Sequence, residues 1–119
     1  MDLTTLARLP MWIGGRAHAP TTTRYGEVTN PATGEVYGQI PNSNQQDIQA
    51  AVHAAQKAFP AWSVTSLENR FQVLNRIATL IDESMDALAL AETNDNGKPL
   101  WLSKQVDIPR ASANFRFFA

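Results

Sequence analysis

The sequence predicts an α/β fold in which a strand-rich opening gives way to helices, and three observations predict it. Up to Ile40, short apolar stretches alternate with Gly- and Pro-containing turns. From Ser43 onward, apolar residues recur at three- and four-residue spacing, the period of a helix with one buried face. Hydroxyl residues followed three positions later by Gln or Glu precede two of the helical runs, as in a capping box. With 119 residues, 44% of them hydrophobic, the chain is the size of one domain and can offset its conformational entropy.

Met11-Trp12-Ile13 reads as a short strand stopped by Gly14-Gly15, a dipeptide suited to a tight reversal. Tyr25 to Thr29 is the next extended stretch, running into Asn30-Pro31-Ala32-Thr33-Gly34. Pro31 biases Asn30 away from helix and Gly34 can supply a positive φ, so this is a turn. Glu35 to Ile40 alternates as a half-buried strand, and a hairpin joins the Val28 and Val36 strands. Ser43 caps the first helix, whose apolar stripe is Ile48, Val52, Ala55 and Phe59, and Pro60 ends it. Thr65-Ser66-Leu67-Glu68 opens a second helix with Leu67, Phe71, Leu74, Ile77, Leu80 and Ile81 along one side. A break near Asp82-Glu83-Ser84 starts a third, closed by Asn96-Gly97-Lys98-Pro99 as a left-handed stop. Ser103 to Ala119 reads as helical, with Pro109 in a first turn or at a kink. Phe115, Phe117 and Phe118 then stand at an uncapped end. They either pack back on this domain or, as expected for a cut chain, remain exposed.

Composition excludes several functions. A net charge of −1 with no basic block gives no footprint for nucleic acid or an anionic membrane. With no cysteine there is no disulfide, thiolate zinc site or cysteine nucleophile in these residues. No apolar run reaches the roughly 20 residues of a membrane span. The opening MDLTTLARLPMW carries Asp2 and lacks the basic-then-apolar order of a secretory signal, so a cytoplasmic location is expected.

Spacing alone assembles no active site, because no G-x-G-x-x-G, phosphate loop or nucleophile–base set is present. His18 reads as a loop residue and His53 as a surface residue off its helix's apolar stripe, a poor pair for a metal. Asp82 and Glu83 are adjacent on a helix, point apart, and read as a solvated face. Trp62 reads as a packing residue closing the turn between helices.

Trp12-Ile13-Gly14-Gly15, then Thr29-Asn30-Pro31-Ala32-Thr33-Gly34-Glu35-Val36, then Glu92-Thr93-Asn94-Asp95-Asn96-Gly97-Lys98-Pro99 follow one another in the chain. In order and spacing they resemble the aldehyde dehydrogenases, as do Ala54 to Trp62 and the arginine-bearing helix after it. The segment from Val106 to Ala119 most resembles the branch acting on 2-aminomuconic and 2-hydroxymuconic semialdehydes. The resemblance implies that residues 1–119 are an N-terminal portion of the NAD-binding domain, a β-hairpin plus helices. The parallel dinucleotide strands and the catalytic domain would lie outside it. It implies oxidation of a small-molecule aldehyde with NAD or NADP, by a cysteine thiolate that attacks the carbonyl and a glutamate that activates water. It also implies a homodimer or homotetramer. None of the catalytic and none of the main cofactor residues falls in this stretch, so these residues alone would be inactive.

Two partial sites follow from the same resemblance. The carbonyls of Val28 and Thr29 and the carboxylate of Asp95 match a monovalent-cation site for K+ or Na+, a hard ion that prefers oxygen. Such ligands should converge within about 5–6 Å. Alternatively, Asp95 only accepts hydrogen bonds in a helix-ending turn. Arg110 stands where the family commonly places an apolar tunnel residue, and would bind an acid-bearing substrate, with Val106 one turn earlier as an apolar wall. Alternatively, Arg110 is a solvent-facing residue of a first helical turn. Betaine aldehyde or succinic semialdehyde oxidation is the rival within the enzyme class. A short non-catalytic structural or oligomerisation module is the rival outside it.

Overall fold

The computed structural model describes residues 7–119, in two compact units. The first six residues of the stretch read for a secretory signal, Asp2 included, lie outside the described residues. The first unit holds the strands and the first helix, as far as Val64 but without residues 30–33; the second holds residues 30–33 and everything from Thr65 onward.

In the first unit, β1 (Ala7–Arg8), β5 (Val36–Pro41) and β4 (Tyr25–Thr29) form a three-stranded sheet in that order. β4 and β5 make the expected antiparallel hairpin, but Val28 pairs with Gly38 and Thr29 with Val36. Tyr37 is therefore the extra residue of a bulge opposite the Val28–Thr29 step. β1, not expected from the sequence, runs parallel to β5. Arg8 holds it there, donating from Nε to Gln39 Oε1 at 3.1 Å and stacking 4.6 Å from the Tyr25 ring centre. A Cβ at Gly38 would lie in ordinary contact with the Ala7 carbonyl oxygen, at 3.5 Å, so β1 packs directly over this residue.

β2 (Met11–Ile13) and β3 (Arg16–His18) form a second hairpin. Gly14 and Gly15, at φ 61° and 79°, supply the two positive φ values of a type I′ turn. His18 is thus a strand residue rather than a loop residue.

α1 (Gln45–Ser63) is capped by Asn44, one residue after the expected Ser43. The Asn44 side chain accepts from the Asp47 N–H at 3.1 Å, and Asp47 Oδ2 accepts from the Asn44 N–H at 3.2 Å. Ser43 instead donates its hydroxyl to Met11 Sδ at 3.2 Å. Pro60 does not end the helix, which continues to Ser63. A proline removes only its own N–H, and its carbonyl still accepts from Ser63 Oγ at 2.9 Å. Trp62 consequently lies inside α1 and is partly exposed. The stripe of Ile48, Val52 and Phe59 is exposed as well. An amphipathic period decides which side is apolar, not what covers it.

The second unit contains α2 (Leu67–Glu83), α3 (Met85–Asn96), a short α4 (Leu100–Leu102), a π-helical turn (Ser103–Asp107) and α5 (Ile108–Phe118). Ser66 caps α2 by accepting from Asn69 N–H, again one residue later than expected. The packing centre is made of small side chains, with Ala78, Ala89, Ser103 and Ser112 all buried. On the expected α2 stripe Leu67, Phe71 and Leu80 are exposed, because the closest approach to α5 falls at Ala78. There the Ser112 hydroxyl donates to the Ala78 carbonyl at 3.3 Å. Phe115, Phe117 and Phe118 are 37%, 81% and 76% exposed.

Candidate functional site

The helix that carries Arg110 is fixed at both ends of the segment it presents. Upstream, α3 stops at Gly97, whose φ of 75° and N–H to Thr93 carbonyl bond (2.9 Å) end the helix as the sequence predicts. Asn96 Oδ1 then accepts from the Lys98 N–H at 2.9 Å, turning the chain into Pro99. The Asn30–Thr33 turn belongs to this same unit, and Pro31 packs so closely on Gly97 that a Cβ there would meet Pro31 Cγ at 3.0 Å. Two of the sequence motifs thus meet at one point.

Lys98 extends from the stop to Asp107 at 2.7 Å and lies 3.9 Å from Glu92. Asp107 is the last residue of the π turn, in which the Ile108 N–H bonds back to the Ser103 carbonyl. The π turn removes the conflict over Pro109, which sits in the first turn of α5 where no intrahelical N–H is required. Downstream, Arg116 pairs with Asp82 of α2 at 2.5 Å and donates to Ser112. The Ser112 hydroxyl and the Arg116 guanidinium hold the Asp82 carboxyl below its usual range. Glu83 diverges to Arg76 at 3.3 Å, so the two adjacent acids point apart as expected.

Arg110 lies between these two clamps and Val106 just before the first, both exposed. They are one turn apart and share a side of the helix. No described residue pairs with the Arg110 guanidinium, whereas Arg76 and Arg116 are both paired. The arrangement is a fixed cation beside an apolar neighbour, suited to a planar anion on an apolar stem.

The proposed cation ligands are distributed between the units. Val28, half-buried, and Thr29, exposed, end β4 at the bulge of the first unit. Asp95 is exposed in the last turn of α3, in the second. Among the described residues no three His, Cys, Asp or Glu side chains cluster as metal ligands. Nor is any helix there long and apolar enough to cross a membrane.

One grouping was missed from sequence. His18 and His53, the only histidines of the chain, line one groove of the first unit together with Arg16 and Lys57. Only the pairing of the β2–β3 hairpin with α1 reveals it.

The chain is 48% identical over 114 residues to the 2-aminomuconic semialdehyde dehydrogenase of Mus musculus, covering 96% of this chain and 23% of that protein. It is 41% identical over 113 residues to an EPTC-inducible aldehyde dehydrogenase of Rhodococcus erythropolis, covering 95% of this chain and 22% of that protein. Among solved structures, the NAD+ complex of an aldehyde dehydrogenase from Bacillus cereus superimposes with a TM-score of 0.89 at 32% identity, covering 93% of this chain and 23% of that one. The chain therefore spans less than a quarter of the length of these relatives. The aldehyde dehydrogenase family model matches residues 18–119, and the chain belongs to that family.

Proposed function

We propose that this chain is the N-terminal portion of the NAD-binding domain of an NAD-dependent dehydrogenase. Its substrate would be an acid-bearing semialdehyde of the 2-aminomuconic or 2-hydroxymuconic kind. The observation that carries the reading is Arg110, an exposed guanidinium with no partner among the described residues, on a helix clamped on either side of it. The 48% identity to a relative named for 2-aminomuconic semialdehyde supports the same substrate class. Arg110 grips the carboxylate remote from the aldehyde, and Val106 forms an apolar wall beside it. The protein is a cytoplasmic homodimer or homotetramer.

The cofactor, when bound, accepts the hydride. The chain contains neither the glycine-rich strand-to-helix turn that cradles a dinucleotide in such folds nor a cysteine to act as nucleophile. They contribute orientation: an arginine fork fixes which end of a two-ended substrate is held back.

A hydrogen bond to a charged group contributes roughly 1.5–3 kcal/mol, which is about 10- to 150-fold in binding. Arg110→Ala in the enzyme containing this chain should lower kcat/KM for the acid-bearing semialdehyde at least tenfold, as measured by NADH absorbance. An uncharged aldehyde of similar length should be affected far less. Equal losses on both substrates would mean that Arg110 supports the helix, not the substrate.

A further inference from the structure

We infer that the groove between the β2–β3 hairpin and α1 binds a diphosphate-bearing anion. Arg16 and His18 form its hairpin rim, and His53 and Lys57 its helix rim. Ala50, Ala54 and Ala58, successive turns of α1, floor it with small side chains. The type I′ turn sets the hairpin close over this floor, since a Cβ at Gly14 would lie 4.0 Å from Ala54 Cβ.

The rim presents donors. Arg16 Nε donates to His18 Nε2 at 3.1 Å, which places the neutral imidazole's proton on Nδ1. The two terminal guanidinium nitrogens of Arg16 and the ammonium of Lys57 have no carboxylate partner among the described residues. No acid compensates them locally. Residues 9–20 contain no Asp or Glu, and α1 has only Asp47. That carboxylate is occupied by the Thr21 N–H and hydroxyl at 2.8 Å. Ten residues of helix place Lys57 about 15 Å along the axis from Asp47, beyond a Debye length of about 8 Å at physiological salt. Glu27 and Glu35 do not line the groove.

An acceptor-rich anion fits such a site, and a divalent metal does not, because the fixed cations repel it. Cations on both rims and a groove of about 680 Å³ favour a ligand with more than one phosphoryl group over a single phosphate. Arginine and lysine are the usual phosphate partners, as a fork and as a point charge.

Both histidines of the chain face this groove, so their imidazole proton signals, assigned by His18→Gln and His53→Gln, report on it in the enzyme that contains this chain. Titration with inorganic pyrophosphate at constant ionic strength should shift both sets of imidazole Cε1–H resonances saturably. ADP should do the same, and chloride should not. Lys57→Met, at an exposed site with no ion pair, should weaken pyrophosphate binding about tenfold, equivalent to about 1.4 kcal/mol. Arg16→Gln should act likewise, and circular dichroism should show an unchanged fold for both. Unsaturable shifts, equal shifts with chloride, or unchanged affinity in Lys57→Met would overturn the inference. So would preferential binding of zinc.

Discussion

Gly97 is constrained twice, by a left-handed backbone and by the ring of Pro31 pressed against the place a side chain would occupy. A left-handed conformation costs a non-glycine residue roughly 1–2 kcal/mol, and the contact adds to it. Gly97→Ala should therefore lower the unfolding free energy of the second unit, measured in urea, by at least that increment. Asp47 carries a different kind of constraint. The Thr21 N–H, opposed by burial and aided by the Thr21 hydroxyl and the Asn44 N–H, holds its carboxyl below the usual value of 3.8. Its contribution to the first unit is then complete above the unfolded value and is lost as pH falls through the lower folded one. Urea midpoints measured from pH 6 down to about pH 2 should fall in the wild type. In Asp47→Asn the acid-side slope should be shallower, and an identical slope would show that Asp47 is not responsible.

At the level of elements, the sequence specifies type and order better than ends. Both helix caps sit one residue later than expected, because Ser43-Asn44 and Thr65-Ser66 each offer two neighbouring side chains able to accept from an N–H. Only packing chooses between them: Ser43 is drawn to Met11 and leaves the cap to Asn44. The β1 strand was illegible because two residues cannot show a period, and parallel pairing leaves no turn to read. The left-handed stop at Gly97 and the Gly14-Gly15 reversal were legible because few residues other than glycine accommodate a left-handed backbone. Arg110 could be singled out from sequence, but its two clamps could not, since Lys98–Asp107 and Asp82–Arg116 depend on how helices return on one another. The cationic groove was hidden for the same reason, its histidines coming from a strand and a helix distant in sequence.

For the molecule as a whole, the two units are held differently. In the first, the buried residues are Gly38 and Asp47, and order rests on strand ladders, a capping box and the Asp47–Thr21 bonds. In the second, α2, α3, the π turn and α5 meet along a seam of small buried side chains. Local opening is easiest where few apolar side chains are covered. Amides of β4 and β5 should therefore exchange with deuterium faster than those of α2 and α5 near Ala78 and Ser112, as read by mass spectrometry of peptides from the intact chain. Equal protection would show that the chain opens as one cooperative unit. The π turn gives the second unit a further property, which concerns reading frame rather than energy. It fits one more residue into a helical turn than an α-helix holds, so Ser103–Asp107 acts as a stored insertion. Deleting Gln105 would remove the stored residue, the helix would run on as plain α, and everything beyond would keep its direction. Ser112 and Arg116 would stay against Ala78 and Asp82, and Arg110 would keep its side of the helix. The same seam can therefore be built with or without the extra residue, provided that what is removed comes from within the π turn.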